Sequence, residues 1–377
     1  MTTNKIRAVG AAVLVVIWAA LTAFAWFKPA DAYSETERSE LDQFPELTVE
    51  TVLSGDFMQK FEDYTLDQFP LRDRFREMKA LFHYYAMQQM DNNGKYLEDG
   101  YIAELAYPLD EASVEHAIKQ FNLVYKLRLR NKNCKIYTTV VPDKGYYLAE
   151  KSGHLSMDHE KMFQMIREGM PWATYVDITG SLTIDDYYRT DTHWRQEKLL
   201  PVAEKLASAM GVSAMDATSM VITQLDRPFY GVYYGQAALP VDPEPLNIMT
   251  NDVLEQCVVG TLVWDDEAQA AVMNPLYTGV HDMEKLDSKD LYDVFLSGLE
   301  EPLVIENPNA RTDKHLVVFR DSYGSSLVPL LVQDYAKVTL VDIRQSSTKI
   351  TSLGIVDFTD ADVLFMYSSL VLNGGYI

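Results

Sequence analysis

A chain of 377 residues can bury a large core, and 47% hydrophobic with 23% charged residues is the composition of a globular protein. The formal net charge is −22, from 55 acidic and 33 basic residues. Such a field repels phosphate backbones and does not attract an anionic lipid surface, which argues against nucleic acid as a partner. The two cysteines, Cys134 and Cys257, are too few for a disulfide scaffold or a four-cysteine zinc site, and a disulfide pair and two separate buried thiols both remain open.

The N-terminal stretch predicts a membrane anchor. Residues 8–27 carry no charge and follow Lys5 and Arg7, and at ~1.5 Å per residue the run spans roughly 30 Å, the thickness of a bilayer's hydrocarbon core. The basic residues before the run predict a cytoplasmic N-terminus, which leaves the main part of the chain outside. A cleavable signal peptide is the alternative because Ala30-Asp31-Ala32 resembles a cleavage site, but such peptides have apolar cores of only about 7–15 residues. We therefore expect an uncleaved, single-pass anchor in the cell membrane.

The predicted organisation has four parts. They are a cytoplasmic N-terminus at 1–7, a transmembrane anchor at 8–27, a tether and juxtamembrane segment at 28–56, and one large domain at 57–377. The large domain opens with two apolar-periodic stretches at 57–69 and 72–90, separated by Pro70. These stretches predict amphipathic helices whose inward faces carry Phe57, Phe61, Tyr64, Phe75, Met78 and Phe82.

Farther along, a long helix is predicted at 111–131, and short apolar runs then alternate with helical patterns. The predicted buried strands are 135–141, 174–178, 315–319, 338–341 and 363–367. This alternation is typical of an α/β fold with a mostly parallel sheet flanked by helices. In such a fold the ligand crevice lies beyond the carboxyl ends of the strands.

Between about 220 and 309 the pattern changes to short strands and Pro-rich connections, which indicates a β-rich insertion into the α/β domain. The insertion is predicted either to form a wall of the site or to be a β extension packed against the domain. Neither an internal repeat nor a low-complexity segment is evident.

Two motifs carry the predicted chemistry. In Asp191-Thr192-His193 an extended backbone would send the first and third side chains to one face, so the Asp191 carboxylate can accept a hydrogen bond from the His193 ring. Ser322 follows an apolar strand in a strand, turn, helix context, with Asp321 predicted to cap the turn. The N–H groups that open the following helix would offer oxyanion donors.

A serine hydroxyl needs a base within hydrogen-bond reach before it acts as a nucleophile. The two motifs therefore predict Ser322 as nucleophile, His193 as general base and Asp191 as the acid that orients the base. On spacing alone, a serine that only caps a helix and an Asp-x-His in a solvated loop remain alternatives.

The same motifs resemble the DHHW family, which is related to the AlgX/AlgJ-type polysaccharide O-acetyltransferases of the SGNH-hydrolase-like superfamily. The most specific parts are Asp191-Thr192-His193-Trp194 and Asp321-Ser322-Tyr323-Gly324, in that order. Residues 61–72 and the loop 141–144 resemble further parts of the family, and the resemblance covers nearly everything after the anchor. It implies an SGNH-like catalytic domain in which Ser322, His193 and Asp191 have the roles given above. Thr192 stands where the family name expects a second histidine.

Residues beside these motifs are candidates for substrate binding. Tyr188 and Trp194 could stack on a sugar ring, although packing is the alternative for both. Arg320 and Lys144 could hold an anionic glycan or steady the oxyanion, with local ion pairs as their alternative. Tyr323, next to the nucleophile, completes this candidate set.

No cofactor or metal is predicted. His154 and His159 have poor ligand spacing and no nearby cysteine, so we expect them to be surface residues. The chain contains no Gly-x-Gly-x-x-Gly, P-loop or His-Glu-x-x-His motif, so neither a nucleotide nor zinc is inferred.

The resemblance implies a membrane-anchored, extracytoplasmic O-acyltransferase, with acetyl as the expected group, that modifies a cell-surface or secreted polysaccharide through an acyl-enzyme. It also implies a multi-pass membrane acyltransferase as the partner that delivers acetyl groups. Three alternatives remain. They are an acetylesterase with the same triad, a catalytically silent carbohydrate-binding or scaffold protein of an envelope assembly, and an ectodomain whose three motif residues never meet.

Overall fold

The computed structural model describes residues 3–288, 290–296, 302–345 and 353–377. The chain forms two compact units, one of Met1–Asn92 with Tyr234–Pro240 and one of Asn93–Tyr233 with Val241–Ile377. The α-helices are α1 Thr3–Phe27, α2 Val49–Ser54, α3 Asp56–Asp67, α4 Arg72–Leu81, α5 Glu111–Val124, α6 Lys144–Ser152, α7 His159–Gly169, α8 Leu200–Met210, α9 Val232–Ala237, α10 Asp252–Gln256, α11 Tyr323–Leu327 and α12 Ser369–Asn373. The strands are β1 Tyr33–Ser34, β2 Ser39–Glu40, β3 Lys95–Glu98, β4 Tyr101–Glu104, β5 Lys135–Val141, β6 Thr174–Tyr175, β7 Val221–Phe229, β8 Glu244–Thr250, β9 Val258–Asp265, β10 Ala270–Thr278, β11 Leu303–Glu306, β12 Lys314–Arg320, β13 Tyr335–Val341 and β14 Asp362–Ser368.

The first unit contains the apolar N-terminal helix α1. Its segment Arg7–Phe27 is the one stretch within the described ranges that is long and apolar enough to cross a membrane, and none of it is buried against protein. By length and composition α1 is therefore either a single-pass membrane anchor or a signal sequence.

The two helices predicted at 57–69 and 72–90 form as α3 and α4, but they turn different faces to the protein. In α3 the predicted face is half-buried, and Phe61 packs edge-on against Phe44 with ring centroids 5.8 Å apart. In α4 the prediction is wrong, because Phe75, Met78 and Phe82 are all exposed. The face of α4 that meets the protein carries charges instead, since ion pairs hold that side of the helix inward.

The second unit is built on one eight-stranded sheet with the order β10-β9-β11-β13-β12-β14-β5-β6. The five strands from β13 to β6 run parallel, whereas β11, β9 and β10 join by antiparallel pairing. Core residues such as Val318 and Leu364 lie on one face of the sheet, and Phe319 and Phe365 lie on the other. Both faces are therefore covered, and the predicted α/β fold with a mostly parallel sheet flanked by helices is confirmed.

All five predicted strands are present in this sheet. The runs at 135–141, 315–319, 338–341 and 363–367 lie in β5, β12, β13 and β14, each of which is fully or mostly buried. The run at 174–178 contributes only the two residues of β6, although Val176 and Ile178 beyond it are buried in the core. A long apolar run without alternation is what a strand buried on both faces requires.

The segment predicted as a β-rich insertion takes part in the main sheet. Its strands β9, β10 and β11 extend one edge of the sheet, while β7 and β8 pair as a separate antiparallel ribbon. Side chains of the same segment also line the candidate site described below, so the segment both extends the fold and forms a wall. The predicted domain limits stay a prediction.

The carboxyl ends of three neighbouring parallel strands are joined by side-chain hydrogen bonds. After β12, Asp321 Oδ2 accepts from the backbone N–H of Ser368 at the end of β14, at 2.7 Å. After β14, the Ser369 hydroxyl donates to Asp143 Oδ1, which lies beyond β5, at 2.8 Å. These bonds draw the loops of β12, β14 and β5 together at the edge where a ligand crevice is expected.

His159 is buried rather than exposed, so its prediction as a surface residue is wrong. Its Nε2 lies 2.6 Å from Asp143 Oδ1, and both side chains have almost no exposed surface. Burial alone would raise the pKa of Asp143, but the hydrogen bond and charge of His159, with bonds from Ser369 and the Gly145 N–H, hold that pKa below its usual value. His154 is half-buried, with its ring stacked on Tyr96 at a centroid distance of 3.9 Å.

The two cysteines are free thiols in the structure. Cys134 is half-buried and Cys257 is buried. Burial raises the pKa of Cys257 to about 12, so its thiol stays protonated at neutral pH. Of the two possibilities left open by the sequence, the structure has separate thiols.

Replacement of His159 should destabilise the second unit strongly. We expect His159→Phe to lower the free energy of unfolding by about 3–5 kcal/mol, because it leaves the carboxylate of Asp143 buried without its partner. Urea unfolding at pH 7 measures this loss. His116→Phe is the matched control, since His116 is exposed on α5, and it should stay within about 0.5 kcal/mol of the parent protein. Equal stability of the two variants would contradict a structural role for the Asp143–His159 pair.

Candidate active site

Ser322 lies just beyond a central strand of the sheet. β12 ends at Arg320, Asp321 and Ser322 form the turn, and α11 begins at Tyr323. Asp321 caps this turn as predicted, since its Oδ1 accepts from the Tyr323 N–H at 3.1 Å. Ser322 is half-buried, while the residues of α11 that follow it are all buried. The nucleophile candidate therefore stands, half-buried, at the carboxyl edge of the parallel sheet.

The second motif, Asp191-Thr192-His193, lies on a loop whose two ends pair with each other. Tyr187 and Trp194 form an isolated antiparallel bridge, and the Tyr188 N–H donates to the His193 carbonyl at 3.0 Å. Between them the backbone bends instead of running extended, so the predicted extended conformation is wrong. Asp191 Oδ1 accepts from the His193 backbone N–H at 3.0 Å, which is an Asx-type turn. It is this turn that brings the two side chains together.

The structure brings the three predicted side chains into one hydrogen-bonded chain. His193 Nδ1 lies 2.6 Å from Asp191 Oδ1, and His193 Nε2 lies 2.7 Å from Ser322 Oγ. An ionised carboxylate can only accept, so Nδ1 carries the proton that it donates to Asp191, and Nε2 is left to accept from the serine hydroxyl. That is the tautomer in which an imidazole can take a proton from Ser322.

The Asp191 carboxylate is fully buried and surrounded by N–H donors. Beside the two bonds from His193, its Oδ2 accepts from the Val232 N–H at 2.8 Å. Gly231 passes directly against Asp191, so that a β-carbon added there would lie 2.3 Å from Asp191 Cβ. Glycine is therefore required at 231, because any larger residue would displace the carboxylate or the loop that carries it.

The aromatic ring of Tyr292 covers one side of His193. The two rings are parallel within 6°, with centroids 3.8 Å apart. Tyr292 is buried, and its hydroxyl lies 2.8 Å from Ser326 Oγ in α11. Burial raises the pKa of Tyr292 well above its usual value, so the phenol stays neutral. The ring therefore fixes the plane of the imidazole and offers a π-face to an imidazolium.

Thr192 connects the loop to two tyrosine hydroxyls. Its carbonyl accepts from the Tyr323 hydroxyl at 2.6 Å, and its hydroxyl lies 3.0 Å from the Tyr233 oxygen, to which it can donate. The one proton of the Tyr233 hydroxyl is donated to Glu104 Oε2 at 3.1 Å. Although Thr192 departs from the family motif, it helps to hold the loop against the residue that follows Ser322.

Lys144 is a buried lysine whose Nζ bonds to the backbone of the motif loop. Its ammonium donates to the Tyr188 carbonyl at 3.1 Å and lies 4.9 Å from the centre of the Tyr233 ring. Burial lowers the pKa of Lys144 to about 7, although the nearby carboxylates of Asp191 and Glu244 act in the opposite direction. With 2% of its surface exposed, Lys144 supports the loop and does not present its ammonium to a ligand in this conformation.

The other candidate substrate-binding residues are buried as well. Tyr188 and Trp194 have no exposed surface, and the Trp194 indole N–H donates to the Tyr323 carbonyl and to Ser326 Oγ, both at 3.0 Å. Arg320 donates to Ser325 Oγ at 2.7 Å and to the Leu296 carbonyl at 3.1 Å. Tyr188 and Trp194 therefore pack inside the protein in this conformation, which is the alternative to sugar stacking given above. Arg320 holds α11 in place by hydrogen bonds.

The N–H groups at the start of α11 are engaged within the turn. Those of Tyr323, Gly324 and Ser325 bond to Asp321 Oδ1, the Asp321 carbonyl and the Ser322 carbonyl, at 3.1, 3.0 and 3.1 Å. They are therefore not available as the oxyanion donors that the sequence suggested.

Sequence reasoning missed the residues of the β-rich segment that support the hydrogen-bonded chain of Asp191, His193 and Ser322. Tyr292, Gly231 and Val232 contact His193 or Asp191, and Glu244 accepts from the Thr190 N–H at 2.9 Å just before the motif. No local motif marks any of them. The Gly231 position carries a weak signal, since a glycine beside a strand indicates a close backbone approach. Among the described residues, no group of three or more His, Cys, Asp or Glu side chains could hold a metal ion.

No family model matches the chain, and no curated protein matches it. Solved structures do share its fold. A DHHW family protein from Eubacterium siraeum superposes with a TM-score of 0.57 at 20% identity, over 76% of this chain and 95% of that one. PatB1 from Bacillus cereus superposes with a TM-score of 0.57 at 17% identity, over 75% and 98%. The predicted resemblance to the DHHW family is thus confirmed at the level of the fold.

A structure of PatB1 with a sulfonyl adduct aligns in the same way, with a TM-score of 0.56 at 18% identity over 75% of this chain and 97% of that one. The O-acetyltransferase domain of Pseudomonas putida AlgJ aligns less closely, with a TM-score of 0.45 at 13% identity over 74% and 92%.

Gly231→Ala should disrupt the Asp191–His193 hydrogen bond. The added β-carbon meets the Asp191 backbone and side chain, so we expect a loss of about 1–3 kcal/mol in the free energy of unfolding and loss of the downfield Nδ1–H proton resonance of His193. Urea unfolding and proton NMR measure the two effects. Gly180→Ala is the matched control, because a β-carbon there meets no atom within 4 Å. An unchanged His193 resonance in Gly231→Ala would contradict the steric requirement.

Proposed function

We propose that this protein is a membrane-anchored, extracytoplasmic O-acyltransferase that transfers an acetyl group to a hydroxyl of a cell-surface or secreted polysaccharide. Ser322 is the proposed nucleophile, His193 the general base and Asp191 the residue that orients the base. The observation that carries the proposal is the hydrogen-bonded chain through His193, with 2.6 Å to Asp191 and 2.7 Å to Ser322.

The chemistry has two steps that share one base. In the first, Ser322 Oγ attacks the carbonyl carbon of an acetyl donor while its proton passes to His193 Nε2, and the leaving group departs with that proton. In the second, a sugar hydroxyl attacks the acetyl-enzyme, its proton passes to His193, and the proton returns to Ser322 as the acetyl ester is released. The buried carboxylate of Asp191 stabilises the imidazolium in both steps.

The resemblance to the DHHW family supports the choice of an acyl group and a polysaccharide. That family is related to polysaccharide O-acetyltransferases, and the motifs of this chain occur in the family's order. The fold shared with a DHHW family protein and with PatB1 is consistent with this choice, and the sulfonyl adduct of PatB1 suggests a reagent for testing Ser322.

The proposal includes the membrane and a partner. α1 would anchor the protein with residues 1–7 in the cytoplasm, so that the second unit works outside the cell. A multi-pass membrane acyltransferase is the proposed source of acetyl groups, because acetyl groups made in the cytoplasm have to cross the bilayer. No cofactor is part of the proposed reaction.

An acetylesterase with the same three residues is the second candidate function. The half-buried position of Ser322 favours neither reaction by itself, because transfer requires only that the acceptor outcompete water. The two functions therefore differ in the product and not in the residues that form the acyl-enzyme.

Ser322→Ala should abolish turnover of an activated acetyl ester by the full chain, a loss of at least about 10³-fold, because no acetyl-enzyme can form. It should also abolish covalent labelling by a sulfonyl fluoride, read by mass spectrometry. Ser208→Ala, at an exposed serine of α8, is the matched control and should behave as the parent protein. If Ser322→Ala kept both activities, the catalytic role of Ser322 would be wrong and the silent binding or scaffold protein would be favoured.

The same assay with the parent protein separates transfer from hydrolysis. Acetate release without any acetylated oligosaccharide, whatever the acceptor, would favour the esterase.

Tyr292 should set how fast Ser322 reacts. Tyr292→Leu removes the stacked ring, and we expect sulfonyl fluoride labelling of Ser322 to slow by about tenfold, since a desolvated cation–π contact contributes roughly 1–2 kcal/mol. Tyr292→Phe keeps the stack and loses only the hydroxyl bond to Ser326, so it is the matched control and should label within about twofold of the parent protein. Equal slowing in both variants would assign the effect to the hydroxyl and contradict the role of the ring.

A further inference from the structure

A buried lysine bonds to the backbone that leads into the Asp191 motif. Lys144 Nζ donates to the Tyr188 carbonyl at 3.1 Å and lies 3.4 Å from the Arg189 carbonyl oxygen. Lys144 is the first residue of α6, and the residue before it, Asp143, caps that helix. The backbone of Lys144 is therefore fixed at the carboxyl end of β5, and its side chain extends from there to the motif loop.

A buried glutamate holds the next residue of the same backbone. Glu244 Oε1 accepts from the Thr190 N–H at 2.9 Å and from the Thr190 hydroxyl at 3.1 Å. The Thr190 hydroxyl accepts in turn from the Gly231 N–H at 3.0 Å, and Gly231 packs directly against Asp191. Glu244 begins β8 and pairs with Phe229 at the end of β7, two residues before Gly231. The glutamate therefore fixes Thr190 together with the segment beside Asp191.

The two side chains hold three consecutive residues, 188–190, through complementary groups. The lysine nitrogen bonds to backbone carbonyls, and the carboxylate bonds to a backbone N–H and a hydroxyl. We call this arrangement of Lys144 and Glu244 the backbone clamp. The residue that follows the clamped segment is Asp191, whose carboxylate lies 2.6 Å from the ring of His193. A shift of the segment would therefore move both motif side chains.

Burial indicates that the bonds to the backbone are what Lys144 and Glu244 contribute. Lys144 is 2% exposed and Glu244 is 7% exposed. An ionisable side chain that leaves water costs free energy unless its polar atoms find partners, and an apolar side chain of similar volume would fill the same space without that cost. The bonds to residues 188–190 are the partners that offset this cost.

We propose that Lys144 and Glu244 are positioning residues for the reaction at Ser322. They fix residues 188–190, and thereby hold His193 at the 2.7 Å distance from which it can take the serine proton. A misplacement of about 1 Å in such a site can slow a reaction by about 10²-fold. The inference rests on the proposed function, because it assigns both residues to that reaction, but the position of His193 can be measured without any turnover.

Lys144→Met tests the lysine side of the clamp in the full chain. Methionine has a similar length and no N–H donor, so the Tyr188 carbonyl loses its partner. We expect loss of the downfield Nδ1–H resonance of His193 and at least about tenfold slower labelling of Ser322 by a sulfonyl fluoride. Proton NMR and mass spectrometry measure the two effects. Lys151→Met, at an exposed lysine of the same helix, is the matched control and should behave as the parent protein.

Two variants test the glutamate side. Glu244→Leu removes the acceptor of Thr190, whereas Glu244→Gln keeps an amide oxygen in its place. We expect Ser322 to be labelled at least about fivefold faster in Glu244→Gln than in Glu244→Leu, because the hydrogen bonds position the backbone. Glu204→Leu, at an exposed glutamate of α8, is the matched control for the leucine variant and should label as the parent protein does.

Urea unfolding of each variant gives the folded fraction, so that labelling rates are compared per folded molecule. With an activated acetyl ester, Lys144→Met should lower kcat and leave KM little changed, since a positioning residue does not touch the substrate. A parent-like labelling rate and His193 resonance in Lys144→Met would overturn the proposal, and so would equal labelling rates in the two Glu244 variants. If Lys144→Met does not fold, the comparison of the Glu244 variants decides.

The proposed function and the clamp fail in different ways. If Ser322 of the parent protein is neither labelled nor active, the proposed function is wrong. The His193 resonance still tests the clamp in that case, because it reports the Asp191–His193 hydrogen bond and requires no reaction. An active parent protein whose Lys144→Met variant is equally active would leave the proposed function intact and contradict the clamp alone.

Discussion

The buried carboxylate of Asp191 is the interaction on which the candidate site depends. It has no exposed surface, and it accepts from the His193 backbone, the His193 ring and the Val232 N–H. A carboxylate desolvated to this degree is tolerated only when several donors surround it. The motif loop and the segment at Gly231 must therefore close on Asp191 together, and the closed arrangement is the one in which His193 faces Ser322.

The parallel sheet determines where Ser322 lies relative to His193. β12 delivers Ser322 at the carboxyl edge, and the loops of β14 and β5 are tied to it through Asp321 and Asp143. Asp143 in turn needs His159, and the following residue, Lys144, holds the backbone of the motif loop. A network of buried polar groups thus surrounds the site, and each of its members is satisfied by partners that are distant in the chain. Such a network favours one conformation of the loop because the alternatives leave buried charges without partners.

Buried charges also determine the orientation of α4, but here they turn the apolar side of the helix outward. Arg72 and Arg76 have carboxylate partners on the protein side, so the charged side of the helix faces inward and Phe75 and Met78 face outward. In water this arrangement exposes apolar surface at a cost of roughly 25 cal/mol per Å².

The sequence by itself determined the elements whose signal is local. The apolar runs predicted the strands of the parallel sheet, the long uncharged run predicted a helix of membrane length, and the two motifs predicted which three side chains to examine. Periodicity predicted that α4 has an apolar face, yet it could not tell which side would be covered, because the ion partner Glu37 lies far away in the chain. Only the tertiary structure buried His159 and brought Tyr292 over His193. These contacts join residues that are distant in the sequence. A local sequence pattern cannot identify such partners, because the chain brings them together only when it folds.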